Sequence, residues 1–221
     1  MLKNLFIFIL LASLVELLGH IYLFPKWQSR EMPMPQISRR SYSLITIVTS
    51  SVFGEIFSLL YKNIFVGFSI TLFVWLACIV IATDLKYRKI PSGACWLVLI
   101  LNSIMNVIFI IKYHNYLPLF SEGITVLSIL FTAAILVLLT KGEFGSGDVR
   151  LMLAIGSLAG SFGYAPILLG IAISSVIQLP LRILLKKFGK YEGVGLPFAP
   201  ALIIGTLLSI IFLSHPGGSL L

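Results

Sequence analysis

The sequence predicts an all-α polytopic membrane protein, a single bundle of about eight transmembrane helices. The chain is 58% apolar with a mean hydropathy of +1.05, and only 11% of its residues are charged. A soluble domain carries about 25% charged residues. Apolar stretches near the roughly 20 residues that span a bilayer recur throughout. No alternating strand pattern occurs, and lipid-exposed segments must satisfy their own backbone hydrogen bonds, so we expect helices.

The apolar stretches define the elements in order along one membrane-embedded domain, 1–221. The first has only Lys3 ahead of it and no small-residue cleavage site at its end, so we expect a retained helix rather than a signal peptide. The sixth is short and rich in glycine, and we expect it to be broken or only partly inserted. The number of spans therefore stays between six and eight. The eight candidates are 2–24, 43–60, 64–83, 93–111, 121–140, 149–163, 164–185 and 198–214.

The basic residues predict the orientation. With the N-terminus outside and eight spans, 13 of the 16 lysines and arginines fall on the cytoplasmic side, as the positive-inside rule requires. Merging the sixth and seventh spans would move four of them outside. The outer side keeps Lys3, Lys62 and Lys112. The predicted cytoplasmic set is Lys26, Arg30, Arg39, Arg40, Lys86, Arg88, Lys89, Lys141, Arg150, Arg182, Lys186, Lys187 and Lys190.

Charge and cysteine usage exclude other classes. The net charge of +8 is explained by topology, and no basic stripe with interleaved aromatics indicates nucleic-acid binding. Cys78 and Cys95 lie in apolar runs without a CxxC pair, and no HExxH occurs, so no metal site is expected. The polar segment 25–42 is interrupted by prolines and contains no cysteine. We interpret it as a short cytoplasmic loop.

The only two aspartates are the strongest candidates for chemistry. Asp84 ends the third span in "IATDLKYRKIPSG", and Asp148 opens the sixth in "GSGDVRLM". An intervening pair of spans returns the chain to the same membrane face, so the two carboxyl groups can converge. Two carboxylates in one site share a proton and titrate as a unit. That arrangement suits peptide hydrolysis, in which one carboxylate activates water and the other, protonated, polarises the carbonyl.

The glycines beside Asp148 have an expected use. Gly145 and Gly147 allow positive φ and let an extended peptide approach closely. Two simpler interpretations stay open: Asp148 is a helix N-cap, or Asp84 is a helix-end residue paired with Lys86 or Arg88. The placement of both aspartates on one face favours a site.

Three motifs resemble the type IV prepilin peptidases, a GxGD family related to archaeal preflagellin peptidases. "GSGDVRLMLAIG" resembles the family's GxGD motif, with Arg150 in place of the usual lysine, at Gly145, Gly147, Asp148, Leu151 and Gly156. "DLKYRKIP" is similar to the first-aspartate motif at Asp84, Ile90 and Pro91. "LPFAPAL" resembles a C-terminal Pro-Phe-x-Pro stretch at Pro197, Phe198 and Pro200. More loosely, "GHIYLFPKW" is similar to the end of the first helix.

The resemblance implies an aspartic endopeptidase of the cytoplasmic (inner) membrane with Asp84 and Asp148 as catalytic residues. Such enzymes remove the basic leader of type IV prepilins or type II pseudopilins on the cytoplasmic side. Many bacterial members also carry a zinc-binding CxxC domain after the first helix and methylate the new N-terminus. Because the loop 25–42 lacks cysteine, no zinc is expected. The residues that carry methylation are not evident, so S-adenosylmethionine is a cofactor only if that activity is retained.

The glutamates receive lesser roles. Glu143 is a possible contact for the basic leader, although a solvated loop charge is the simpler interpretation. Glu16, with His20 one turn away as its partner, and Glu55 are buried acids with structural or substrate-contact roles. Glu122 and Glu192 are interpreted as loop-edge residues.

Two other functions compete with the peptidase. A small ion- or proton-coupled transporter could use the same two aspartates, although transporter sites usually lie near the midplane. A non-catalytic assembly factor of a secretion machine is the third. The expected partners are the bilayer and a prepilin or pseudopilin, without nucleic acid, and the oligomeric state stays open.

Overall fold

The computed structural model describes residues 2–22, 39–87, 89–139, 145–187 and 199–213. Within these ranges the chain forms eight α-helices and no strand, which confirms the all-α class. The helices are α1 Leu2–Tyr22, α2 Arg39–Tyr61, α3 Ile64–Tyr87, α4 Ser92–Tyr113, α5 Leu117–Leu139, α6 Ser146–Gly160, α7 Ala165–Lys187 and α8 Ala199–Leu213.

Three helix connections meet at one end of the bundle. They line a cavity of about 50 Å³, with Asn63 from the α2–α3 turn, Pro118 from the start of α5, and Ser161 and Phe162 from the turn after α6. The helices therefore run alternately up and down between two ends. The last turn of α3, the first turn of α6 and the start of α8 belong to the opposite end.

Four helices are long and apolar enough to cross a membrane, over Ser43–Tyr61, Ile64–Asp84, Ser92–Tyr113 and Leu117–Ile135. Shorter apolar helical segments occupy Asn4–Gly19, Ala165–Gln178 and Ala199–Leu213. Large apolar side chains on the outer faces of the bundle stay exposed, as a lipid environment permits. Eight spans, and the orientation with the N-terminus outside, remain predictions.

The short glycine-rich segment forms the central helix. The expectation that this segment is broken is wrong, because α6 is continuous and is buried at every position from Leu151 to Gly160. Its partial insertion stays a prediction. The helix contacts α3, α4, α5, α7 and α8. A helix that is surrounded by other helices makes little contact with lipid. The 15 residues of α6 therefore need not match the thickness of the bilayer.

Glycines allow the closest helix pairs to form. An added Cβ on Gly67 of α3 would lie 2.6 Å from the carbonyl oxygen of Gly54 on α2. One on Gly160 of α6 would lie 2.9 Å from the Cα of Glu122 on α5, and one on Gly205 of α8 would lie 2.8 Å from the backbone nitrogen of Ser174 on α7. Small residues let helix backbones approach where apolar burial alone gives no driving force.

Two buried acids lie on the first two helices. The Glu16 carboxylate accepts hydrogen bonds of 2.7 Å from the Ser43 hydroxyl and from the Trp75 indole N–H, and so joins α1 to α2 and α3. The expected His20 partner stays a prediction, because the His20 side chain lies outside the described residues. Glu55 is buried, and neither of its carboxyl oxygens has a hydrogen-bond partner among the described residues.

Candidate active site

Asp84 lies near the C-terminal end of α3 and is only 6% exposed. One of its carboxyl oxygens, Oδ2, accepts a buried hydrogen bond of 3.2 Å from the backbone N–H of Ala199, the first residue of α8. The N-terminus of a helix carries a partial positive charge. The contact therefore favours a negative charge on Asp84 and fixes the end of α3 to the start of α8.

Asp148 lies in the first turn of α6 and is half-buried. The N-cap residue of α6 is Gly145, which has no side chain to cap the helix, so the interpretation of Asp148 as an N-cap is wrong. The backbone N–H of Asp148 donates to the Gly145 carbonyl at 3.0 Å, within the first turn of the helix.

The two carboxyl groups interact. Burial raises the pKa of Asp148, and the negative charge of Asp84 raises it further. The helices that carry them, α3 and α6, are in contact. The structure therefore brings the two aspartates, which lie 64 residues apart in the chain, near enough for their charges to interact.

Space, and not backbone conformation, explains the two glycines of the motif. Gly145 has φ −65° and ψ 128°, which any residue can adopt, and the positive-φ glycine of the described residues is Gly163. The expectation of positive φ at Gly145 and Gly147 is therefore wrong. A Cβ on Gly145 would lie 2.9 Å from Oδ2 of Asp148. A side chain there would displace the carboxyl group.

Ile90 and Pro91, which follow Asp84 in the chain, bring the first aspartate motif into contact with the GxGD motif. Pro91 is buried as the N-cap residue of α4, and its carbonyl accepts the N–H groups of Ala94 and Cys95 at 3.1 and 3.3 Å. The preceding residue, Ile90, faces the GxGD segment, because a Cβ on Gly147 would lie 3.3 Å from the Cβ of Ile90. The start of α4 therefore packs against the first turn of α6.

The C-terminal motif is only partly described. Pro200 is buried in the first turn of α8, where its missing N–H leaves no helical bond unmade. Pro197, Phe198 and the possible leader contact Glu143 lie outside the described residues. In the described part of the motif, Ala199 contacts the site by donating its backbone N–H to Asp84.

Sequence reasoning missed two features. The Ala199 N–H carries no side-chain signal, so no pattern could have identified it. Glu122 is not a loop-edge residue: it is buried in α5, 3% exposed, and accepts hydrogen bonds from Ser103 and Asn106 at 2.7 Å each. The signal available was the pair Asn102 and Asn106, one turn apart in an apolar span.

In the described residues, the two aspartates belong to no group that could hold a metal ion, and they do not line the cavity. Among the described residues, no group of three or more His, Cys, Asp or Glu could hold a metal ion. Most of the loop 25–42 lies outside them, so the absence of zinc stays a prediction. The cavity is lined by Ser69, which precedes Asp84 by about 22 Å along α3.

The arrangement can perform acid–base chemistry. Two carboxyl groups meet at one end of the bundle, one bonded to a helix N-terminus and one whose pKa is raised. Such a pair can hold one proton between them, and a single shared proton is what general acid–base hydrolysis by a carboxyl pair requires.

The comparisons with known proteins give one match. The model of the type IV leader peptidase family matches residues 70–183, which include Asp84, Pro91 and Asp148. No curated protein and no solved structure matches the chain. The matched segment covers more than half of the 221 residues and contains both aspartates and the glycine motif. The chain therefore belongs to the type IV leader peptidase family.

Proposed function

We propose that this peptidase is a membrane aspartic endopeptidase that removes the basic leader of type IV prepilins or type II pseudopilins at the cytoplasmic membrane face. Asp84 and Asp148 are its catalytic residues. The observation that carries the proposal is the convergence of these two carboxyl groups, from α3 and α6, in a family of leader peptidases. Family membership also disfavours the transporter and the assembly factor.

The surroundings of the two aspartates suggest a division of roles. Asp84 is the ionised member, because the Ala199 N–H at the start of α8 stabilises its negative charge. Asp148 is the protonated member, because burial and the neighbouring charge of Asp84 raise its pKa. Like-charged carboxyl groups in one site cannot both ionise cheaply.

The reaction then proceeds through a tetrahedral diol. Asp84 takes a proton from a water molecule, whose oxygen bonds to the scissile carbonyl carbon while Asp148 passes its proton to the carbonyl oxygen. In the second step Asp84 gives its proton to the amide nitrogen. The C–N bond breaks, and a diol hydroxyl returns a proton to Asp148. Both aspartates end in their starting states, and no covalent intermediate with the enzyme is formed.

The exposed edge of the site suits an extended, basic substrate. Gly145 and Ser146 are exposed, whereas Asp84 behind them is buried. A leader segment could lie along Gly145 without side chains in its way. Glu143 remains a proposed contact for its positive charges. The apolar helix of the substrate would stay in the bilayer, and we propose neither a cofactor nor N-methylation for this step.

The test is leader removal from a co-expressed prepilin. We expect wild type to produce a leader-sized drop in substrate mass, and Asp84→Asn and Asp148→Asn each to abolish it, because neither variant can complete the proton cycle. Glu55→Gln is the matched control, a buried acid that bonds to nothing described, and it should process normally. Membrane levels of each variant are measured by immunoblot.

Processing at the wild-type rate by either asparagine variant would overturn the assignment of the pair. Loss of processing in Glu55→Gln as well would mean that general damage to the bundle, and not the missing carboxylate, explains the result. Failure of every variant and of wild type on prepilins and pseudopilins would reject the substrate class.

A further inference from the structure

A buried polar cluster lies inside the apolar bundle, away from the aspartates. We call it the Glu122 network, and it joins residues of α3, α4, α5 and α6 together with Ser161, which directly follows α6. Its members are Ser69, Asn102, Ser103, Asn106, Glu122, Ser157 and Ser161.

Glu122 is the acceptor at the centre of the network. Its Oε1 accepts from the hydroxyl groups of Ser103, at 2.7 Å, and Ser157, and its Oε2 accepts from the Asn106 amide at 2.7 Å. One carboxylate therefore links α4, α5 and α6. Buried networks that satisfy their members fix a single arrangement, whereas a missing member leaves desolvated polar groups unpaired.

Two asparagines hold the end of α6 from the α4 side. The Asn102 amide donates to the Ser157 hydroxyl at 3.1 Å and to the Ser161 hydroxyl at 3.0 Å, and the Asn106 amide donates to Ser161 at 2.8 Å. The two serines are one helical turn apart. Attachment at two successive turns restricts both rotation of α6 about its axis and sliding along it.

The opposite end of α6 carries Asp148, and no side chain caps it. Ser157 follows Asp148 by nine residues, or about 14 Å of helix. The intervening helix is buried from Leu151 onward, so it transmits a shift at one end to the other as a rigid rod.

We propose that Glu122 is a positioning residue for Asp148. By anchoring the C-terminal turn of α6, its carboxylate sets the height and rotation of the helix whose first turn carries the Asp148 carboxyl. Catalysis by Asp148 rests on the proposed function above, but the position of α6 does not. A misplacement of about 1 Å at a reacting group can lower a rate by about 10²-fold.

The position of α6 can be measured without activity. A Cβ on Gly147 would lie 3.3 Å from the Cβ of Ile90, close to the separation that a disulfide needs. Ile90→Cys with Gly147→Cys, in a chain carrying Cys78→Ala and Cys95→Ala, should therefore form a disulfide on mild oxidation. Its rate of formation reports the register between the first turn of α6 and the start of α4.

We expect Glu122→Leu to slow this cross-link several-fold, because α6 loses its bond to α5 at Ser157 and the Asn106 amide loses its carboxylate acceptor. Glu16→Leu is the matched control, since Glu16 is an equally buried carboxylate on α1 that accepts hydrogen bonds from Ser43 of α2 and Trp75 of α3. It should leave the cross-linking rate unchanged. An unchanged rate in Glu122→Leu, or equal slowing in Glu16→Leu, would overturn the proposal.

Activity supplies the second readout, with the native cysteines and without the cross-linking pair. Glu122→Leu should lower kcat for leader cleavage by about 10-fold or more and change KM less, because a displaced reacting carboxyl slows the chemical step more than it weakens the binding of an extended segment along Gly145. A rise in KM alone would contradict the proposal. Because cross-linking needs no substrate, it remains decisive even if the chain does not cleave prepilins.

A reciprocal exchange within the network provides rescue if Glu122→Leu does not accumulate in membranes. Glu122→Gln and Asn106→Asp should each slow cross-linking. The first places an amide opposite the Asn106 amide, and the second places a carboxylate opposite the Glu122 carboxylate. The double variant restores one amide facing one carboxylate and should recover the cross-linking rate. Absence of recovery in the double variant, with both single variants folded, would count against anchoring by this pair.

Discussion

Asp148 and Glu55 are both withdrawn from water but lie in different surroundings. Asp148 faces the charge of Asp84 at the mouth of the site, whereas Glu55 lies within α2 and has no hydrogen-bond partner in the described part of the chain. The first arrangement is useful for catalysis because it keeps a proton available. The second has no compensating bond and should lower the stability of the folded protein.

The raised pKa of Asp148 predicts a pH dependence of stability. The folded protein binds this proton more tightly than the unfolded chain, so the stabilisation is full below the unfolded pKa and is lost as pH rises through the folded pKa. Asp148→Asn cannot ionise. We expect its thermal midpoint in detergent to exceed that of wild type at neutral pH, and the difference to shrink toward about pH 4. A difference that does not change with pH would contradict the assignment.

Replacement by leucine should change the free energy of unfolding in opposite directions at Glu55 and at Glu16. Glu55→Leu removes an unsatisfied buried carboxyl and should raise the free energy of unfolding by about 1–3 kcal/mol. Glu16→Leu leaves the Trp75 indole N–H and the Ser43 hydroxyl without this acceptor, and should lower it by a similar amount. Chemical or thermal unfolding in detergent checks the pair, and equal signs would contradict it.

At the scale of elements, the central helix explains the unusual composition of its segment. A lipid-facing helix needs length and bulk, but α6 needs small residues because five helices pack around it. Two of its three glycines, Gly156 and Gly160, face α5. Small residues in an apolar segment thus indicate burial among helices as readily as a broken span.

A glycine pair tests the packing of α5 against α6. Gly160→Ala places a methyl group 2.9 Å from the Cα of Glu122, where the backbone must shift, and should destabilise by about 1–3 kcal/mol. Gly123→Ala is the control, because nothing lies within 4 Å of its added Cβ. That change should be neutral or stabilising by up to about 1 kcal/mol through helix propensity. Thermal midpoints in detergent measure both, and a stable Gly160→Ala would refute the close contact.

At the scale of the whole molecule, the bundle has two distinct ends. One holds the two aspartates and the start of α8, and the other holds the cavity where three connections meet. The basic residues predict that the aspartate end faces the cytoplasm. The two ends therefore differ in chemistry as well as in predicted exposure.

Cysteine labelling checks this orientation. In a chain with Cys78→Ala and Cys95→Ala, Tyr116→Cys lies on the exposed α4–α5 connection and Lys89→Cys on the exposed α3–α4 connection. We expect a membrane-impermeant maleimide to label the first in intact cells and the second only after permeabilisation. The reverse pattern would place the aspartates outside and reject the proposed cleavage side.

Composition and hydropathy are local properties of the chain, and they were enough to predict the helical class, most helical segments and the placement of Asp84 and Asp148 at helix ends. The packing of the folded chain was needed to show that α6 is central, that the motif glycines provide space, that Glu122 is buried, and that Ala199 donates to Asp84. These depend on the register between helices distant in sequence. Register is set by many packing contacts at once, and no single segment records it.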